Sequence, residues 1–146
     1  MKKLLLIIFL IFNLSHSQNN KCVSGNCIEG YGTFINADGE KYIGEFSEGK
    51  CDGLGWWMSK KFKDESFTYS GEFKDNKING LGKLVVFNNF EGHDLPIIAY
   101  SGHWKNGKKH GMIKVDDYFN EIEKWCVYMN DELKEVLYEF DRSVKK

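Results

Sequence analysis

His103 and His110 flank the turn sequence Lys105-Asn106-Gly107-Lys108. Imidazole is the commonest protein ligand for zinc, and a chain reversing at that turn brings the two rings opposite each other on neighbouring strands. Glu72 holds the same place in the preceding copy of the local pattern, so His103, His110 and Glu72 form a candidate three-ligand metal set. The plainer reading is an exposed polar pair, since neither histidine has an evident partner for its other ring nitrogen. That reading is preferred, and no metal is assigned. Glu45 and Asp52 are a second pair expected to face each other, but on an open, wet sheet face nothing drives two carboxylates apart into an acid and a base. Gly53-Leu54-Gly55 and Gly80-Leu81-Gly82 lack the third glycine and the following helix of a phosphate loop. No Ser/His/Asp or Cys/His set is spaced for nucleophilic catalysis. The chain is read as non-enzymatic, with no cofactor.

The elements that must position these residues come from a pattern met three times: "YIGEFSEGKCDGLG" from Tyr42, "YSGEFKDNKINGLG" from Tyr69 and "YSGHWKNGKKHGMI" from Tyr100. Each copy alternates like a strand, passes a short polar turn and alternates again. The turns Ser47 to Lys50, Lys74 to Lys77 and Lys105 to Lys108 put Asn or Gly where a two-residue hairpin loop needs positive φ, so each unit is a β-hairpin. Counting outward from Glu48-Gly49 pairs Phe46 with Cys51, Glu45 with Asp52, Gly44 with Gly53 and Tyr42 with Gly55. Alternation then places Tyr42, Gly44, Phe46, Cys51, Gly53 and Gly55 on one face. Stacked hairpins would bury a column of Tyr42, Tyr69 and Tyr100 beside a column of Phe46, Phe73 and Trp104, on a floor of glycine. By the same register His103 faces His110.

Between units the turn cluster Ile35 to Glu40 and the longer loops Ser59 to Ser66 and Phe87 to Asp94 reverse the chain. Cys22 to Phe34 reads as the second half of a unit, with Gly30 and Gly32 in the glycine positions. After Gly111 the pattern decays, with Cys126 and Tyr128 in degenerate positions, as capping repeats of a stack often show. Leu133, Val136, Leu137 and Phe140 follow helical spacing, while Asn130-Asp131 reads as another hairpin loop; a closing strand is favoured. The units are therefore a half-repeat at 22–41, repeats at 42–68, 69–99 and 100–123, and a cap at 124–146.

Lys2 and Lys3, the apolar run Leu4 to Leu14 and the small residues Ser15 and Ser17 have the layout of a secretory signal, with cleavage expected after Ser17. The run is short for a membrane span, which needs about 20 residues. Residues 18–146 are then a single domain, secreted or held in the periplasm or cell envelope. Cys22 follows Asn-Asn-Lys and not a small-residue box, which argues against lipid modification. A formal charge of −1 gives no footprint for nucleic acid. Four cysteines are too few for a disulfide-stapled framework. Cys22 and Cys27 can bridge across their short loop, and Cys27 to Cys51 stays open as an alternative. Cys51 and Cys126, two units apart, read as buried free thiols.

At these residues the chain resembles the MORN-repeat family, whose unit is Tyr-x-Gly-x-Trp/Phe-x-x-Gly-x-x-x-Gly-x-Gly. Tyr42, Gly44, Phe46, Gly49, Gly53 and Gly55 match it throughout. The second unit matches at Tyr69, Gly71, Phe73, Gly80 and Gly82 and departs at Asn76, which also accepts positive φ. The third matches at Tyr100, Gly102, Trp104, Gly107 and Gly111 and departs at Ile113. The resemblance implies an all-β fold, an elongated antiparallel sheet of stacked MORN-type hairpins with an N-terminal half-repeat and a degenerate C-terminal cap. It implies protein association as the role, with contact to phospholipid headgroups as an alternative. The expectation is an exported scaffold for an unidentified protein partner. Trp56 and Trp57 point to opposite faces and are candidate partner contacts. The basic cluster Lys105, Lys108, Lys109 and Lys114 is the candidate contact for anionic lipid, although Asp116, Asp117, Glu121 and Glu123 follow it closely. Weak metal-dependent activity at His103 and His110 is the remaining alternative. A single sheet layer buries only one face well, which leaves a homodimer open.

Overall fold

In the computed structural model, the described residues are 20–62, 65–90 and 93–145, so the expected signal segment lies outside them. Ten strands follow one another in chain order: β1 Lys21–Gly25, β2 Gly30–Ile35, β3 Lys41–Ser47, β4 Lys50–Phe62, β5 Glu65–Lys74, β6 Lys77–Phe90, β7 His93–Lys105, β8 Lys108–Asp117, β9 Ile122–Met129 and β10 Glu132–Asp141. They form one open antiparallel sheet in sequential order, closed at the C-terminus by a 3-10 turn at Ser143–Lys145. Each tight turn places two successive residues at positive φ: Glu48 and Gly49, Asp75 and Asn76, Asn106 and Gly107, Asn130 and Asp131. That backbone matches the twist of the flanking strands. Asn130-Asp131 thus opens a final hairpin, and Leu133 to Phe140 is strand, not helix.

The register departs from simple counting. Phe46 pairs with Cys51 as expected, but Gly44 pairs with Gly55 and Tyr42 with Trp57, so Asp52, Gly53 and Leu54 all lie opposite Glu45. The expected pairs Glu45 with Asp52, Gly44 with Gly53 and Tyr42 with Gly55 do not form. The cause is an enlarged bulge, three residues against one. Gly53 takes φ 106°, a conformation closed to most side chains, and the Leu54 N–H freed from the ladder donates to Glu45 Oε2 at 3.1 Å. The second unit repeats this, with Asn79, Gly80 and Leu81 opposite Glu72 and the Leu81 N–H donating to Glu72 Oε1 at 3.0 Å. In the third, His110, Gly111 and Met112 lie opposite His103, which removes the expected direct pairing of the two histidines.

The bulge changes which glycines make the floor. Gly44 and Gly55, now paired, lie beneath the Tyr42 ring, and a Cβ at Gly55 would stand 2.5 Å from the ring atom Cζ. Gly53 instead abuts the Glu45 side chain and leaves the floor. The tyrosine lies over backbone with its hydroxyl donating to Glu45 O at 3.0 Å, so its polar end is satisfied while its ring is buried. The rings interlock edge to face: Tyr42 on Phe46 at 5.1 Å and on Phe73 at 4.9 Å, then Tyr69 on Phe73 at 5.2 Å and on Trp104 at 5.8 Å. Each such pair contributes about 0.5–1.5 kcal/mol beyond area burial. This row is the core of the sheet's aromatic face. Ile113, Val115 and Cys126 continue it toward the C-terminus.

Backbone bonds also fasten each hairpin tip to the one before. Gly49, Asn76, Gly107 and Asp131 donate their N–H groups to the carbonyls of Ile28, Cys51, Ile78 and Lys109 at 2.8–3.0 Å. Where the turn residue is not glycine its side chain adds a return bond, Cys51 N–H to Asn76 Oδ1 at 2.8 Å and Lys109 N–H to Asp131 Oδ1 at 2.9 Å. The departure at Asn76 is therefore a second fastening. The segments expected as long loops are mostly ladder: β4 runs to Phe62 and β5 starts at Glu65, while β6 runs to Phe90 and β7 starts at His93. Their apolar residues find partners on the sheet, as in the pairs Phe62 with Glu65 and Phe87 with Pro96.

Gly55→Val is expected to destabilise the protein by about 2 kcal/mol or more in urea unfolding, because the Tyr42 ring must leave its seat. Gly49→Asn, with positive φ and open space, is expected to stay within about 0.5 kcal/mol of wild type.

Candidate functional site

A one-layer sheet has two surfaces, and here they differ in kind. On the outer face the residue after the bulge glycine of each full unit, and Tyr31 between Gly30 and Gly32 in the unbulged β2, stand exposed. These residues are Tyr31, Leu54, Leu81 and Met112, exposed by 64, 61, 57 and 55%. They form a row across the sheet, one per hairpin, with Glu45, Glu72 and His103 on the strands between: Tyr31 pairs with Glu45, Leu54 with Glu72, Leu81 with His103. The bulge carboxylates hold the row in place by accepting the Leu54 and Leu81 N–H groups. The same glycines and glutamates that shape the backbone therefore present an apolar stripe to solvent. The repeat contains the signal for this stripe, because alternation puts the residue after Gly30, Gly53, Gly80 and Gly111 on the outer face, and the two extra residues of each bulge keep that facing.

On the aromatic face a cavity of about 410 Å³ opens over the first unit, with Phe34, Tyr42, Trp57, Phe73, Cys51 and Glu40 among its walls. Trp57 packs against the buried rings here, and Trp56, paired with Ile43, points to the outer face; both are half-buried. The edge strand β10 carries Leu133, Val136, Leu137 and Tyr138 exposed on an unpaired flank.

The candidate metal residues do not converge. Glu72 pairs with Leu54 and holds the bulge of its own unit, His103 is exposed, and His110 Nδ1 is buried with no hydrogen-bond partner among the described residues. Among the described residues no three of His, Cys, Asp and Glu are grouped to hold a metal ion. The four lysines separate as well. Lys109 Nζ lies over the Tyr100 ring, 4.5 Å from its centre, and 3.5 Å from Asp131 Oδ1. Lys114 sits between Asp116 at 3.3 Å and Glu123 at 3.2 Å, and Arg142 joins the same two carboxylates. Lys105 and Lys108 remain at an exposed tip. Cys22 and Cys27 are joined by a disulfide with Cα atoms 5.9 Å apart, while Cys51 and Cys126 are free thiols.

The model of the MORN repeat matches the chain at residues 28–41, 42–60, 69–85 and 100–112. The last match stops one residue before Ile113, the first departure from the glycine floor. No curated protein matches the chain.

Burial pushes the Cys51 thiol up to about 11, so little thiolate exists near neutrality. Iodoacetamide alkylation of the native protein is expected at Cys51, at a rate still rising with pH above the ordinary thiol value of 9.0. A rate that levels near that value would contradict the burial.

Proposed function

This chain belongs to the MORN-repeat family, whose non-catalytic modules contact proteins or lipids, and on that premise we propose that it is an exported, non-enzymatic scaffold for a protein partner. The observation that carries this reading is the row Tyr31, Leu54, Leu81 and Met112. Large apolar side chains more than half exposed and aligned at the repeat spacing, with Leu54 and Leu81 held by hydrogen-bonded carboxylates, form a patterned surface of the kind that marks interaction sites. Export is supported by the layout of residues 1–17 and by the Cys22–Cys27 disulfide, which persists in an oxidising compartment.

Contact with anionic lipid headgroups has less support on this surface. Of the four lysines that would carry it, Lys109 and Lys114 are engaged with Asp131, Asp116 and Glu123, which leaves Lys105 and Lys108. Two lysines supply about 2 kcal/mol near an anionic surface.

The test is capture from the native cell envelope with wild-type protein and with the double variant Leu54→Glu, Leu81→Glu. Both side chains are more than half exposed, so the variant should keep its fold. A specific partner held by wild type and lost by the variant is expected. The same set captured by both, or no specific partner at all, would count against the reading.

A further inference from the structure

We propose that the cavity on the aromatic face of the first unit binds an alkylammonium group, a lysine-type or trimethylammonium cation carried on an apolar stem. The walls supply the chemistry. Phe34 on β2, Tyr42 on β3 and Trp57 on β4 are consecutive partners across the sheet. Tyr42 is buried between two half-exposed rings, with Phe73 edge-on against it at 4.9 Å. Ring faces carry negative potential, and a cation among several of them is attracted without the full desolvation loss it would suffer in an aliphatic pocket.

A carboxylate stands at the same end of the cavity. Glu40 accepts from Ser59 Oγ and from Asn36 Nδ2, the latter at 2.9 Å, and forms no ion pair among the described residues. It is oriented by neutral donors and has no countercharge among the described residues. Lys77 also lines the cavity, but beside the hairpin-tip residues Asn76 and Gly107, away from the inter-hairpin end where Asn36 and Glu40 lie. The ammonium therefore belongs at the Glu40 end, with its stem along Phe73 and Ile78. A volume of about 410 Å³ accommodates a small ligand or one long side chain.

The protein shows the same chemistry filled from within two hairpins away. Cys51, Ile78 and Lys109 occupy equivalent places, opposite Phe46, Phe73 and Trp104. In the third unit the Lys109 ammonium lies 4.5 Å from the Tyr100 ring centre and 5.2 Å from that of Tyr128, with Asp131 as countercharge. In the first unit the equivalent residue is the short Cys51 and the place of Asp131 is taken by the neutral Asn76, so the rings are left open and the carboxylate of the cavity is Glu40, at its other end. This inference does not depend on the outer-face reading above.

Hexyltrimethylammonium, titrated into the full protein and followed by calorimetry and by the Trp57 indole resonance, is the probe, with hexanol as its neutral comparator. Saturable binding is expected, about tenfold weaker for hexanol and about fivefold weaker in Glu40→Gln. Cys51→Lys, which supplies an internal ammonium as the third unit does, is expected to abolish binding, whereas Lys109→Met leaves it unchanged. Repeating the titration with a trimethyllysine peptide and with phosphatidylcholine vesicles shows whether the cation comes from a protein or a lipid. Absence of saturation overturns the proposal, as does equal affinity for hexanol. So does unchanged binding in a Cys51→Lys protein of native circular dichroism; should that variant not fold, the hexanol and Glu40→Gln arms decide.

Discussion

A tyrosine ring laid flat over the backbone of two paired strands is the constraint on which the rest of this structure depends. Tyr42 can lie over Gly44 and Gly55 only if those residues are opposite each other, and the tight turn at Glu48-Gly49 would by itself oppose Gly44 to Gly53. The chain resolves the mismatch with two extra residues on β4. The extra length needs Gly53 at positive φ, and the freed Leu54 N–H needs an acceptor, which Glu45 provides. Tyrosine, three glycines and glutamate are thus one device. Because Tyr69, Gly71, Gly80, Gly82 and Glu72 repeat it, successive hairpins are offset alike and their rings meet edge to face.

Much of this is legible in the sequence. The turns, the hairpins, the order of units and the two aromatic columns follow from alternation and from Asn and Gly at loop positions. The register beyond Phe46 is not, because counting outward from a turn assumes an unbroken ladder, and the bulge leaves no mark except a glycine that alternation assigns to the floor. An unbroken ladder would likewise pair His103 with His110, and the bulge at His110, Gly111 and Met112 removes that pairing. The strands are also longer than the sequence suggests: the charged and polar residues after Ser59 and before Phe67 look like a loop, yet Ser59 pairs with Phe67 and Phe62 with Glu65. The final hairpin was readable from Asn130-Asp131, since a two-residue loop at positive φ outweighs a short stretch of helical spacing.

The repeat explains the scaffold, while its individuality lies in the variable positions. At the tip, Asn76 and Asp131 replace glycine and fasten one hairpin to the previous one. In the place shared by Cys51, Ile78 and Lys109, a thiol, an aliphatic chain and an ammonium give three units with one backbone and three different surfaces. On the outer face, Tyr31, Leu54, Leu81 and Met112 vary in shape but agree in being apolar and exposed. Fold and surface are separable here because the residues that set the register point into the bulge or the aromatic row, which leaves these outer-face positions free to diverge.

The central claim is the shifted register that seats Tyr42 on Gly44 and Gly55, and nuclear Overhauser contacts from the Tyr42 ring protons test it most directly. The account predicts strong contacts to the Gly55 Hα protons, with those protons shifted upfield by the ring, and contacts to the Phe73 ring. Strong contacts to the Gly53 Hα protons in place of Gly55 would mean an unbulged ladder and would contradict it.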